Sequence, residues 1–187
     1  MADSTELPVR TKIGRRAFLR STALGALGLA YGTAAYARAM DRRTLSFVHT
    51  HTGENLSTVY FEDGAYRVGS LQQVNHLLRD FRTDTTYPID PRVLDILHEL
   101  QVLADRDEPY QVISGYRSPQ TNSLLRKSSS GVAEHSLHME GRAIDVRLGG
   151  FPTHKLRELA LTMRRGGVGF YPRSDFVHLD CGRVRFW

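Results

Sequence analysis

Two short stretches of this chain alternate between apolar side chains and side chains that carry chemistry. Over residues 142–148, Ile144, Val146 and Leu148 share one face of an extended strand, and Ala143, Asp145 and Arg147 share the other. Over residues 175–180, Val177 and Leu179 lie on one face, with Phe176, His178 and Asp180 opposite. A period of two with one apolar face calls for strands half-covered by a core. The apolar faces must pack, so Asp145 and His178 point away from that core. His138 precedes Asp145 by seven residues, in a loop that enters the same strand, and Gly141 between them permits a tight approach. A fold could bring these two imidazoles and one carboxylate together. Three ligands of this type leave a fourth position open on zinc, as in a catalytic rather than a structural site.

The rest of the chain supplies the scaffold. Residues 44–50 and 56–61 read as strands, followed by an Asp63-Gly64 turn. Ser70 and Gln73 fit a capping box for a helix with the stripe Leu71, Val74, Leu77 and Leu78. Asp90 and Pro91 open a second helix, with Val93, Ile96, Leu97, Leu100 and Leu103 on one side. Residues 110–114 read as a strand that turns through Gly115-Tyr116-Arg117 into a short helix capped by Ser118, with Pro119 in its first turn. Residues 128–131 form a Ser/Gly loop. Thr153 caps a helix bearing Leu156, Leu159, Ala160 and Met163, and strands over 168–171, 175–180 and 184–187 close the chain. The expected class is α+β: an antiparallel sheet with helices packed on one side.

The formal charge of +5 does not point to nucleic acid. Residues 1–39 carry six basic and two acidic side chains, which leaves 19 Lys and Arg against 18 Asp and Glu in the remainder. A near-neutral body lacks the electrostatic footprint of a nucleic-acid binder. The basic segment has the layout of an export signal. Arg15-Arg16-Ala17-Phe18-Leu19 precedes a weakly apolar run and two small-x-small sites, Ala35-Tyr36-Ala37 and Ala37-Arg38-Ala39. The arginine pair resembles a twin-arginine signal, with Gly14 and Arg20 departing from the usual pattern. The run is too diluted by Gly and Thr for a lasting membrane anchor. The chain therefore divides into a signal over 1–39 and a domain over 40–187 with no membrane span in its mature form. Its one cysteine, Cys181, permits no internal disulfide and reads as a small packed side chain.

The motif Ser136-x-His138-x-x-Gly141-x-Ala143-x-Asp145 resembles the zinc signature of the D-Ala-D-Ala metallopeptidase group, which shares its fold with lysostaphin-type peptidases and the hedgehog domain. Ser114-Gly115-Tyr116-Arg117-Ser118 resembles the arginine motif of that group, and Gly166 to Trp187 is similar to its branch of twin-arginine-exported murein endopeptidases. The resemblance implies Zn2+ on His138, Asp145 and His178, and periplasmic hydrolysis of cross-links between peptidoglycan stem peptides by a monomer. It assigns Arg117 to the substrate carbonyl or carboxylate. It places the general base three residues before the last zinc histidine, at Asp175. Strand alternation puts Asp175 on the face opposite His178, whereas Asp180 shares the face of His178 and is the second candidate, as base or as a partner that orients a ligand. Two other activities fit the same motifs: trimming of D-Ala-D-Ala ends, and zinc-dependent binding to the wall without catalysis.

Overall fold

The computed structural model of the chain describes residues 41–128 and 132–187. The signal reading of residues 1–39 and all but the first residue of the Ser/Gly loop lie outside the described residues.

Eight strands form one sheet in the order β3-β2-β1-β4-β5-β7-β6-β8. They are β1 (Arg43–His49), β2 (Asn55–Glu62), β3 (Ala65–Tyr66), β4 (Tyr110–Ser114), β5 (Ala143–Leu148), β6 (Gly167–Tyr171), β7 (Phe176–Asp180) and β8 (Arg185–Phe186). Four α-helices are described: α1 (Val68–Leu77), α2 (Pro91–Ala104), α3 (Pro119–Ser128) and α4 (Thr153–Met163). The fold is α+β, as expected. Most pairings are antiparallel, but β1 runs parallel to β4 and β6 runs parallel to β8. The β1–β4 pair is parallel because the chain crosses over through α1 and α2 before returning.

One face of the sheet carries Phe47, Val112, Ile144, Val146, Val168, Val177 and Leu179, which pack with Val93, Leu97 and Leu100 of α2 and Leu156 of α4. All of these are buried, and at ~1.5–3 kcal/mol per buried side chain they are the main force holding helices to sheet. The opposite face of β5 and β7 is left free for polar groups.

Two helix starts differ from expectation. Helix α1 begins at Val68 rather than after Ser70, with Arg67 as N-cap and no side-chain cap bond. Gln73, expected to complete a capping box, accepts instead from Thr58 Oγ1 on β2 at 3.3 Å. Helix α4 starts one residue early, with Pro152 at the N-cap and no side-chain cap bond, and the Thr153 hydroxyl donates to Asp175 at 2.6 Å. The Asp90 cap holds: its carboxylate accepts from Arg92 N at 3.0 Å.

Candidate metal centre

Strands β5 and β7 lie side by side with Asp145 directly opposite His178. Cross-strand partners sit ~4.5–5.5 Å apart at Cβ, so the register alone brings these two side chains together. His138 arrives from a single 3-10 turn, Leu137–Glu140, rather than from an open loop. Ser136 caps that turn and Gly141 ends it in the left-handed region, φ 65°. A Cβ at Gly141 would overlap the Pro88 carbonyl, so no larger residue fits where the chain turns into β5. The backbone N–H of Arg117 donates to the His138 carbonyl at 3.2 Å and ties the turn to the end of β4.

The three donor atoms converge. His138 Nε2 lies 3.2 Å from Asp145 Oδ1 and 3.2 Å from His178 Nδ1, and His178 Nδ1 lies 2.9 Å from Asp145 Oδ1. Ligand atoms at ~2.0–2.1 Å from a tetrahedral ion are about 3.3 Å apart, so this spacing fits one small cation. The outer ring nitrogens agree. His138 Nδ1 donates to the Gly115 carbonyl at 2.7 Å, and His178 Nε2 donates to Asp180 Oδ2 at 3.1 Å. Both partners only accept, so the protons sit on the outer nitrogens and the inner nitrogens are free to ligate. The residues present therefore fit a metal ion, and among the described residues no other group of three such side chains comes together.

Electrostatics point the same way. Burial favours neutral His138 and lowers its pKa. Burial also opposes a charge on His178, but hydrogen bonds to Asp145 and Asp180 overcome it and raise its pKa to about 9. Burial works against the Asp145 carboxylate too, yet the two histidines hold it well below the usual range. The centre demands a positive charge, which a proton or a metal ion can supply.

The remaining candidates fall in three different places. Arg117 is almost buried. Its Nη2 lies 3.6 Å from Asp145 Oδ2, and its Nε has no hydrogen-bond partner. Asp180 is saturated: besides His178 it accepts from Gly167 N, Gly182 N and a two-pronged Arg185 fork, at 2.7–3.1 Å. No oxygen of Asp180 is left for a water, so its position is that of a group that orients His178. The structure does not bring Asp175 to the centre. Asp175 stands in the left-handed region, φ 51°, and its carboxylate meets Thr153 and Arg147 instead.

The centre opens into a cleft of about 640 Å³ whose walls include Arg117, His135, Tyr171, Phe176, Arg185 and Trp187. Of these, the sequence points to Arg117 as a substrate-binding candidate and to His135, three residues before His138, as a pocket-lining one. For the rest, the Gly166-Gly167-x-Gly169 pattern was the available signal, since glycine in a strand marks a close approach by another group.

Fold and centre together define an α+β protein with a three-donor metal-type site at the base of a cleft. The family model for peptidoglycan L,D-endopeptidase MepK matches residues 37–187, and the chain belongs to that family of peptidases. Peptidoglycan L,D-endopeptidase MepK of Escherichia coli K12 is 44% identical over 145 residues, covering 78% of this chain and 80% of the relative. The protein of the same name from Shigella flexneri matches to the same extent, and the probable MepK of Haemophilus influenzae is 40% identical over 146 residues, 78% of each chain. No solved structure matches the chain.

Proposed function

We propose that this chain is a zinc peptidase that hydrolyses peptide cross-links of peptidoglycan outside the cytoplasm. The observation that carries the reading is the donor triangle of His138, Asp145 and His178, with both outer nitrogens held by acceptors and the open side facing a cleft. Zinc bound there would act as a Lewis acid and lower the pKa of its water to ~7. The Gly115 carbonyl and Asp180 hold the two imidazoles in ligating orientation. Arg117, which lines the cleft beside Asp145, donates to the negative charge that develops on the scissile carbonyl. The relatives are named for an L,D bond. That description favours the diaminopimelate–diaminopimelate link, in which the carbonyl of an L centre joins the amine of a D centre.

Cross-linked and uncrosslinked muropeptides, digested by the purified zinc-loaded protein and read by mass spectrometry, test this function. Cross-linked dimers should become monomers, chelation should abolish the conversion, and added zinc should restore it. Full activity after verified metal removal, or release of terminal D-Ala alone, would overturn the proposal. Peptidoglycan lies beyond the cytoplasmic membrane, and the Arg15-Arg16 leader supports export by the twin-arginine route. Unchanged export of an Arg15→Lys/Arg16→Lys variant would refute that route.

A further inference from the structure

The wall of the cleft beside His178 contains an arrangement that the ligand set does not explain. Gly169 and His178 are paired residues on β6 and β7, and Tyr171 pairs with Phe176 two positions along. Gly169, Tyr171, Phe176 and His178 therefore share the open face of the sheet. Where Gly169 lacks a side chain, the indole of Trp187 fills the space. A Cβ built on Gly169 would lie 2.6–2.8 Å from Trp187 Cε2, Cζ2 and Nε1. The Trp187 backbone is pinned to β6 by bonds to Val168 O and from Phe170 N. Its ring lies 5.2 Å from the His178 ring, centroid to centroid.

So placed, Trp187 Nε1 donates to the Tyr171 hydroxyl oxygen at 3.0 Å. Indole can only donate, so the tyrosine oxygen accepts here and keeps its own proton for another partner. The Tyr171 ring is also fixed, stacked on Phe176 with centroids 4.5 Å apart and planes 17° apart. Tyr171, Trp187, Arg117 and the three donors all line the one cleft. A phenol held at the ring, with its oxygen already accepting from the indole, has its own proton left to give to a group in the cleft.

We infer that Tyr171 is a catalytic residue whose hydroxyl donates to the oxyanion of the scissile peptide, with Trp187 as the residue that positions it. The inference rests on the peptidase reading above. Gly169 is part of the device, because only a bare Cα lets the indole sit beside His178 and reach Tyr171. Two donors, Arg117 and Tyr171, then serve a charge that exists only as the carbonyl is attacked, and such donors raise kcat rather than tighten ground-state binding.

Purified cross-linked muropeptide dimers and the zinc-loaded full chain provide the test. Tyr171→Phe should lower kcat about 10²-fold, the scale of one lost oxyanion donor, with KM and bound zinc unchanged. Trp187→Phe keeps an aromatic ring but removes the indole N–H, and should lower kcat by a smaller factor. The double variant should be no slower than Tyr171→Phe alone, since Trp187 acts through the hydroxyl. A raised KM with unchanged kcat in Tyr171→Phe would overturn the inference, as would strictly additive losses in the pair or unaltered turnover. An inactive wild type would instead refute the peptidase reading and leave the two failures distinct.

Discussion

Asp95 on α2 and Asp145 on β5 are both nearly buried, and each has an arginine beside it. Asp95 lies by the β1–β3 end of the sheet. It accepts from Arg43 Nη1 at 2.8 Å, Tyr60 Oη at 3.0 Å and Tyr66 Oη at 2.6 Å. Burial and the neighbouring carboxylate push the Tyr66 phenol up to about 12, so it remains a donor at any ordinary pH. Every partner of Asp95 gives a proton, and the network closes on itself. The partners of Asp145 do not close in this way. Two ring nitrogens turn toward its Oδ1 and toward each other, and the nearby Arg117 guanidinium keeps a free N–H. A closed set of donors ties strands to a helix. Two imidazoles and a carboxylate facing one point beside a cleft favour a positive charge there, a proton or a metal ion, and that contrast separates the two carboxylates.

The strongest way to break the comparison is to delete one imidazole from the open network. His178→Ala removes a ligand and strands Asp180 and Arg185 against a hole. Zinc content should fall to background and turnover by about 10³-fold or more, since the proposed reaction uses the metal's Lewis acidity. Elemental analysis beside muropeptide turnover checks both. Retained zinc with retained turnover would mean that the triangle is not the metal centre.

The matching change in the closed network should hurt only the fold. Asp95→Asn leaves Arg43 without its counter-charge and turns an amide N–H toward a donor. A loss of about 1–3 kcal/mol in denaturant unfolding is expected, with kcat per folded molecule unchanged. Loss of turnover without loss of stability would show that the two ends of the sheet are not separable.

Proton linkage sharpens the contrast further. In the metal-free protein His138 is neutral and Asp145 ionised, so His178, with its pKa raised to about 9, holds the one proton a metal must displace. Apparent zinc affinity should rise about tenfold per pH unit below pH 9 and level off above it. Calorimetry in buffers of different ionisation enthalpy should register one proton released near neutral pH. The same proton stabilises the metal-free fold. That contribution is fully present below the ordinary imidazole value of ~6.5 and is lost as pH rises through about 9.

Much of the centre was legible because strand alternation is a local rule. The apolar run Ile144, Val146 and Leu148 required Asp145 to face the other way, and the same logic placed His178. Asp90 before Pro91 marked the start of α2 for an equally local reason. What escaped was set by distant partners. The parallel β1–β4 and β6–β8 pairs depend on how the chain crosses over, which no window of residues records. Ser70 and Thr153 looked like caps, but the side chains expected to serve those caps, Gln73 and the Thr153 hydroxyl, met partners from β2 and from the β6–β7 turn instead. Trp187 reaches His178 only because β8 returns alongside β6.

Asp175 shows where a motif and a geometry part ways, and it provides the smallest expected effect. Position alone, three residues before His178, made it a candidate base. Its left-handed backbone turns the carboxylate toward the N-terminus of α4, where it accepts from Thr153 and pairs with Arg147, two-thirds exposed. Asn is the suitable replacement, because it tolerates positive φ and still accepts from Thr153 while removing the charge. An exposed ion pair contributes ~0–1 kcal/mol, so Asp175→Asn should shift stability by less than that and leave kcat within about twofold of wild type. A general base lost to an amide would instead cost about 10²–10⁴-fold. The two outcomes are far enough apart that one rate measurement on cross-linked muropeptides decides between them. A large loss would return Asp175 to the reaction and require the β6–β7 turn to rearrange when substrate binds; a small one leaves Asp175 as the clasp between that turn and α4.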